Sequence, residues 1–136
     1  MPVESDEELR EILQLQQIAV VGCSATPTKA AHGVPRFMRK RGYTILPVNP
    51  YADEIFGQEP YDSLSEVDER VDMVNVFRPS DEVADIVDET LERDDVQAVW
   101  TQLGIRDREA GERVESAGKQ YVEDLCLKVE YRRLLG

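Results

Sequence analysis

Five short apolar runs are spaced along this chain, and the stretches between them keep a helical period. The runs are Ile18–Val21, Tyr43–Val48, Met73–Phe77, Val96–Trp100 and Gln120–Val122. Runs this short and this uniformly apolar suit strands buried on both faces. The intervening segments place apolar residues three and four apart: Leu9, Ile12 and Leu13, then Val34, Phe37 and Met38 within Ala31–Arg41. Val83, Ile86, Val87, Thr90 and Leu91 do the same, as do Ala110, Val114 and Ala117. Ser5, Ser80 and Asp107 stand where helix N-caps belong, and Gly42 and Gly118 where helices end. Residues 51–70 read as loop, with Ser63 and Glu66 spaced as a capping box. Residues 124–135 read as a closing helix. The pattern predicts an α/β fold, a doubly wound and mainly parallel five-stranded sheet with helices on both faces. A length of 136 residues predicts one domain over 1–136, with 1–16 as an N-terminal helical extension.

Charge narrows the partners. The chain has 28 acidic and 16 basic residues, a net charge of −12 at neutral pH. That argues against general nucleic-acid binding, which wants a broad basic footprint. A strongly acidic, lysine-poor surface suits solubility at high salt, a hint of halophilic adaptation. No apolar run is long enough to span a bilayer, and the acidic start is unlike a signal peptide, so the expected place is the cytoplasm. Cys23 and Cys126 have no metal-ligand spacing and read as free thiols, and His32 is the one histidine. Neither a metal site nor a Ser-His-Asp triad is expected. Between Glu11 and Asp53 there is no acid at all, yet Lys29, Arg36, Arg39, Lys40 and Arg41 fall there. In so acidic a chain, an exposed segment kept free of acid suggests a site for an anion.

In open parallel sheets, ligands bind at the carboxyl ends of the strands. The loops to inspect are therefore 22–29, 48–50, 77–79 and 101–104. The first, Gly22-Cys23-Ser24-Ala25-Thr26-Pro27-Thr28-Lys29, is neither G-x-G-x-x-G nor a P-loop. It still offers what a phosphate needs: a glycine for close backbone approach, hydroxyls at Ser24, Thr26 and Thr28, the start of a helix, and Lys29. The second strand ends in Pro47-Val48-Asn49-Pro50, without the acid that holds the ribose of NAD. With the bases nearby, this favours a nucleotide bearing an extra ribose phosphate. NADP and coenzyme A both qualify.

The order and spacing of several segments resemble the small single-domain CoA-binding proteins, which are similar to the N-terminal domain of the succinyl-CoA synthetase α subunit. The segments are Val20–Ser24, Pro27–Val34, Gly42-Tyr43, Pro47–Pro50, Tyr61–Leu64, Val71–Arg78, Val99–Ile105 and Cys126–Glu130. They cover roughly 15–135. The resemblance implies a Rossmann-like version of the sheet and a CoA site at the strand ends. By motif, Gly22, Ser24 and Lys29 would hold the phosphates, with Cys23, Ala25 and His32 beside them. Val48, Asn49 and Pro50 would border the adenosine. Phe77, Arg78 and Pro79 would line the path of nucleotide or pantetheine, and Gln102, Leu103 and Gly104 its far wall. The chain departs from the family at Ala31, where serine is common, and at Leu125, where a base is common.

Three residues have two readings each. His32 either touches a phosphate or makes a structural hydrogen bond. Cys23 is a small buried residue or a partner for the CoA thiol. Trp100 is core or a stacking platform, core being favoured. The function expected is non-catalytic binding of CoA or acyl-CoA by a carrier, sensor or regulator. The alternatives are an NADP-dependent reductase or CoA-transferring enzyme, for which only His32, Cys23 and Tyr43 are eligible, and a ligand-free protein-interaction domain. A homo-oligomer or a protein partner is left open.

Overall fold

A computed structural model describes residues 1–136. Five parallel strands, β1 (Gln17–Val21), β2 (Thr44–Val48), β3 (Met73–Val76), β4 (Ala98–Thr101) and β5 (Gln120–Val122), lie in the order β2-β1-β3-β4-β5. Their side chains alternate between two cores, as the period of a strand requires. Ile18, Val20, Ile45, Met73, Trp100 and Val122 face one side; Ala19, Leu46, Val74, Val99 and Tyr121 face the other. Helices α1 (Asp6–Ile12), α2 (Ala30–Lys40) and α5 (Leu127–Leu134) cover the first core. Helices α3 (Val83–Leu91) and α4 (Arg108–Ser116) cover the second. The predicted doubly wound α/β sheet is what forms. No helix is long and apolar enough to cross a membrane.

One backbone detail completes a Rossmann-like order. Tyr61 bridges Val48 in parallel, donating its N–H to the Pro47 carbonyl at 3.0 Å while its own carbonyl accepts from Asn49. This single bridge sits outside β2, where a Rossmann sheet has its third strand. Counting it, the order becomes 3-2-1-4-5-6.

The helix ends hold several corrections. Ser5 and Asp107 cap as expected, accepting from the N–H of Glu8 and of Ala110. Ser80 does not cap α3: it opens a short 3-10 turn at Ser80–Glu82, and its hydroxyl accepts from the N–H of Arg106 at 2.9 Å. Ser63 makes no cap either; Glu89 on α3 reaches across to the N–H of Ser65 instead. The last helix starts at Leu127, because Asp124 takes a positive φ of 60° that no helix can include. Leu9, Ile12 and Leu13 are each 1% exposed, so the N-terminal segment contributes directly to the first core. Trp100 is fully buried, its indole N–H donating to the Leu125 carbonyl at 2.8 Å.

Candidate functional site

The chain leaves β1 in one direction for β2 and crosses back to β3, so strand order reverses between β1 and β3. A crevice opens outside their carboxyl ends, as such reversals require. Gly22 forms its floor. Its N–H donates to the Val48 carbonyl at 3.0 Å, and its φ of +88° is one that side chains resist. The loop after β3 lies directly on it: a Cβ here would come within 2.8 Å of Arg78 Cδ and 3.2 Å of the Phe77 carbonyl carbon.

From Gly22 the chain turns inward and out again. Cys23 is fully buried in the first core, and burial pushes its thiol up to about 12. The hydroxyl of Ser24 accepts from the N–H of Thr26, closing a tight turn. Residues 25–30 are exposed. Lys29 is the N-cap of α2, and no acid stands in the first turn. The first N–H groups of that helix lack intrahelical acceptors, which leaves a cationic, donor-rich helix start.

Asn49 ties this loop to the end of β2. Its Nδ2 donates to the Cys23 carbonyl at 2.9 Å, while its Oδ1 accepts from the N–H of Tyr51 at 2.7 Å and of Ala52 at 3.1 Å. All three bonds are internal, so Asn49 shapes the site with its side chain already committed. This explains why an amide, and not an acid, ends β2: a carboxylate would face a carbonyl oxygen.

On the α3 side the crevice deepens into a cleft of about 280 Å³. Gly22, Val48, Asn49, Pro50 and Arg78 line it among the residues picked out by sequence. Arg78 donates twice to Glu82, at 3.1 and 2.8 Å. The opposite wall is acidic, with Asp62, Asp85 and Glu89 joining Glu82, and Arg78 is the one cation in the lining. Val21, Tyr51, Ser63, Leu64 and Ile86 complete it. Sequence reasoning missed these nine. Glu82, the N-cap of α3, and Asp85, Ile86 and Glu89 within it share one helix face, a spacing that by itself does not tell a cleft wall from a solvated surface.

Other residues sit elsewhere. Ser24, Ala25 and Lys29 belong to the exposed loop at the start of α2. Phe77 packs against the first core, and Pro79 is exposed. Gln102 is 5% exposed, its Oε1 accepting from Asn75 Nδ2 and from the N–H of Leu127, where it caps α5. Leu103 and Gly104 are exposed beyond β4, with the N–H of Gly104 held by Asp124. His32 packs on Phe56 with ring centroids 4.8 Å apart and the rings tilted by 43°, and its Nδ1 is buried without a partner. Desolvation, then the nearby Arg36, holds its pKa below the usual imidazole value. None of the five bases of the acid-free segment lines the cleft: Lys29 stands exposed at the N-cap of α2, and Arg36, Arg39, Lys40 and Arg41 lie further along or just beyond that helix. A helix that begins at the carboxyl end of β1 runs back toward the other edge of the sheet and carries its last turn away.

The CoA binding domain family matches residues 16–132 of this chain. The uncharacterized protein YneT of Bacillus subtilis is 41% identical over 128 residues, which are 93% of this chain and 94% of that protein. A solved structure from Thermus thermophilus superposes with a TM-score of 0.90 at 42% identity, covering 97% of this chain and 100% of that one. An ADP-forming acetate–CoA ligase of Methanocaldococcus jannaschii is 30% identical over 84 residues. That match takes in 62% of this chain and 12% of the ligase.

Proposed function

This chain belongs to the CoA-binding domain family, and we propose that it binds coenzyme A or an acyl-CoA without catalysis, as a carrier, sensor or regulatory module. The observation that carries the reading is the contact of the β3 loop with Gly22 on the wall of a nucleoside-sized cleft, with the loop that leads to Lys29 and α2 starting from that same glycine. The diphosphate lies over the Gly22–Lys29 loop, taken by Ser24, Lys29 and the first amides of α2. The adenosine enters the cleft against Val48, Asn49 and Pro50. There the carboxylates of Asp62, Asp85 and Glu89 accept from the adenine amine and the ribose hydroxyls. The pantetheine leaves past Phe77, Arg78 and Pro79 toward Leu103. The likeness to an acetate–CoA ligase supports CoA over NADP.

A binding role also fits the state of the eligible catalysts. The Cys23 thiol is buried and held neutral. The Tyr43 hydroxyl donates to the Leu13 carbonyl inside the first core. His32 Nδ1 has no hydrogen-bond partner, so it is paired with no nucleophile.

Calorimetric titration with CoA, dephospho-CoA, NAD and NADP tests the reading. Binding of CoA with no response to NAD or NADP is expected, and Lys29→Ala should weaken it. Binding of NADP alone, or of nothing, overturns it. The acidic cleft also predicts that loss of the 3′-phosphate costs less than tenfold in affinity.

A further inference from the structure

The cations of this protein divide into two populations. Every arginine from Arg70 to Arg113 is ion-paired with a carboxylate. Arg36, Arg39, Lys40 and Arg41, around the second half of α2, and Lys128 and Arg132 on the adjacent α5 make no ion pair and no side-chain hydrogen bond. The one carboxylate on these two helices, Glu130, is buried and neutralised by Arg133. In a chain carrying 28 acids, six unneutralised cations on two packed helices are not what random placement gives.

Three of these cations are also held in place. Phe37 lies at the seam between the helices, edge-on to Tyr131 at 5.7 Å between centroids. The Arg41 guanidinium sits 4.4 Å from its ring centre and the Lys128 ammonium 5.1 Å. Arg39 is 5.6 Å from the ring of Phe56. Each ring fixes a cation by its quadrupole while the aliphatic stem packs on it. Beside them Val129 is 52% exposed. Arginine, tyrosine and phenylalanine around an exposed apolar residue are the composition of protein interface cores.

We propose that the α2–α5 face docks an acidic segment of another polypeptide. Charge complementarity selects the partner. The rest of the surface is strongly negative, so a long polyphosphate reaching past the face would meet repulsion, while a short acidic segment would not. An eleven-residue helix is only ~16 Å long, the reach of such a segment. A second copy would have to offer a different, acidic face, a head-to-tail contact that no two-fold dimer makes.

Fluorescence anisotropy with a labelled oligoglutamate peptide at moderate salt tests this. Arg39→Glu, Arg41→Glu and Arg132→Glu together should weaken binding at least tenfold and leave CoA affinity within twofold. The milder set Arg39→Gln, Arg41→Gln and Arg132→Gln should give an intermediate loss in a chain of unchanged circular dichroism. Arg10→Glu on α1, another unpaired arginine, should change nothing. The proposal is overturned if oligoglutamate fails to bind, if Arg10→Glu is as damaging, or if an oligonucleotide of equal charge binds more tightly. Self-association that disappears in the triple variant would overturn it too, by naming a second copy as the partner.

Discussion

The backbone N–H of Ser24 donates to the carbonyl of Ala31 at 3.0 Å. Inside an α-helix that carbonyl belongs to the N–H of the residue four positions later, and here that residue is Pro35, which has none. A proline inside α2 thus frees an acceptor at the start of the helix, and the strand-end loop uses it. The irregularity in the helix and the shape of the loop are one feature.

Pro35→Ala restores a donor to α2 and sets it in competition with Ser24. An interior proline costs a helix ~3 kcal/mol, so the variant should be at least as stable as the parent despite some lost packing. The loop should loosen. Expected are faster amide exchange at Ser24 and a fivefold to tenfold loss of CoA affinity by calorimetry. Unchanged affinity would separate the loop's conformation from binding.

Gly22→Ala strikes the floor of the crevice twice. The φ of +88° costs a side chain ~1–2 kcal/mol. The new Cβ would also press on Phe77 backbone at 3.2 Å, which cannot swing aside as the Arg78 side chain can. Urea denaturation should show a loss of about 2 kcal/mol. CoA affinity should fall at least tenfold, because the two loops that meet here must part. A destabilised variant with intact affinity would move the ligand off Gly22.

The sheet was legible because its strands are buried on both faces, so apolar runs announce them without ambiguity. The bridge at Tyr61 was not, since one residue pair leaves no periodicity. Cleft residues on loops next to strands, such as Gly22 and Asn49, were picked out by position. Those on α3 were hidden because Glu82, Asp85 and Glu89 look like any solvated helix face until the fold turns that face to the cleft. Gln102 looked like a ligand contact because it follows β4. Its amide oxygen is taken by Asn75 and by the start of α5, a demand visible only once both are beside it.

The two thiols should behave differently. Cys23 is fully buried with its thiol raised to about 12, while Cys126 is half-buried at the N-cap of α5. Native protein at mild alkaline pH should react with iodoacetamide at Cys126 alone, and with both after unfolding. Since the folded pKa of Cys23 is raised, its contribution to stability is complete below the ordinary thiol range. It fades as pH climbs from there toward 12. Native labelling at Cys23 would show that the loop opens on the labelling time scale.

Gly111→Ala is a test of how tightly α4 rides on β5. Alanine is the better helix former by ~1 kcal/mol, and on propensity alone the change should stabilise. The geometry opposes it: a Cβ would fall 2.3 Å from Cε2 and 2.4 Å from Cδ2 of Tyr121. That ring cannot yield, being fully buried with its hydroxyl donating to the Asp107 carbonyl at 3.0 Å. Overpacking of this kind costs ~1–3 kcal/mol or more, so a net loss of about 2 kcal/mol and a lower Tm are expected. In a Tyr121→Val background the same substitution meets open space and should become neutral or favourable. A double-mutant cycle measures the reversal. If the two changes simply add, the close approach of helix and strand is not what requires a glycine at 111.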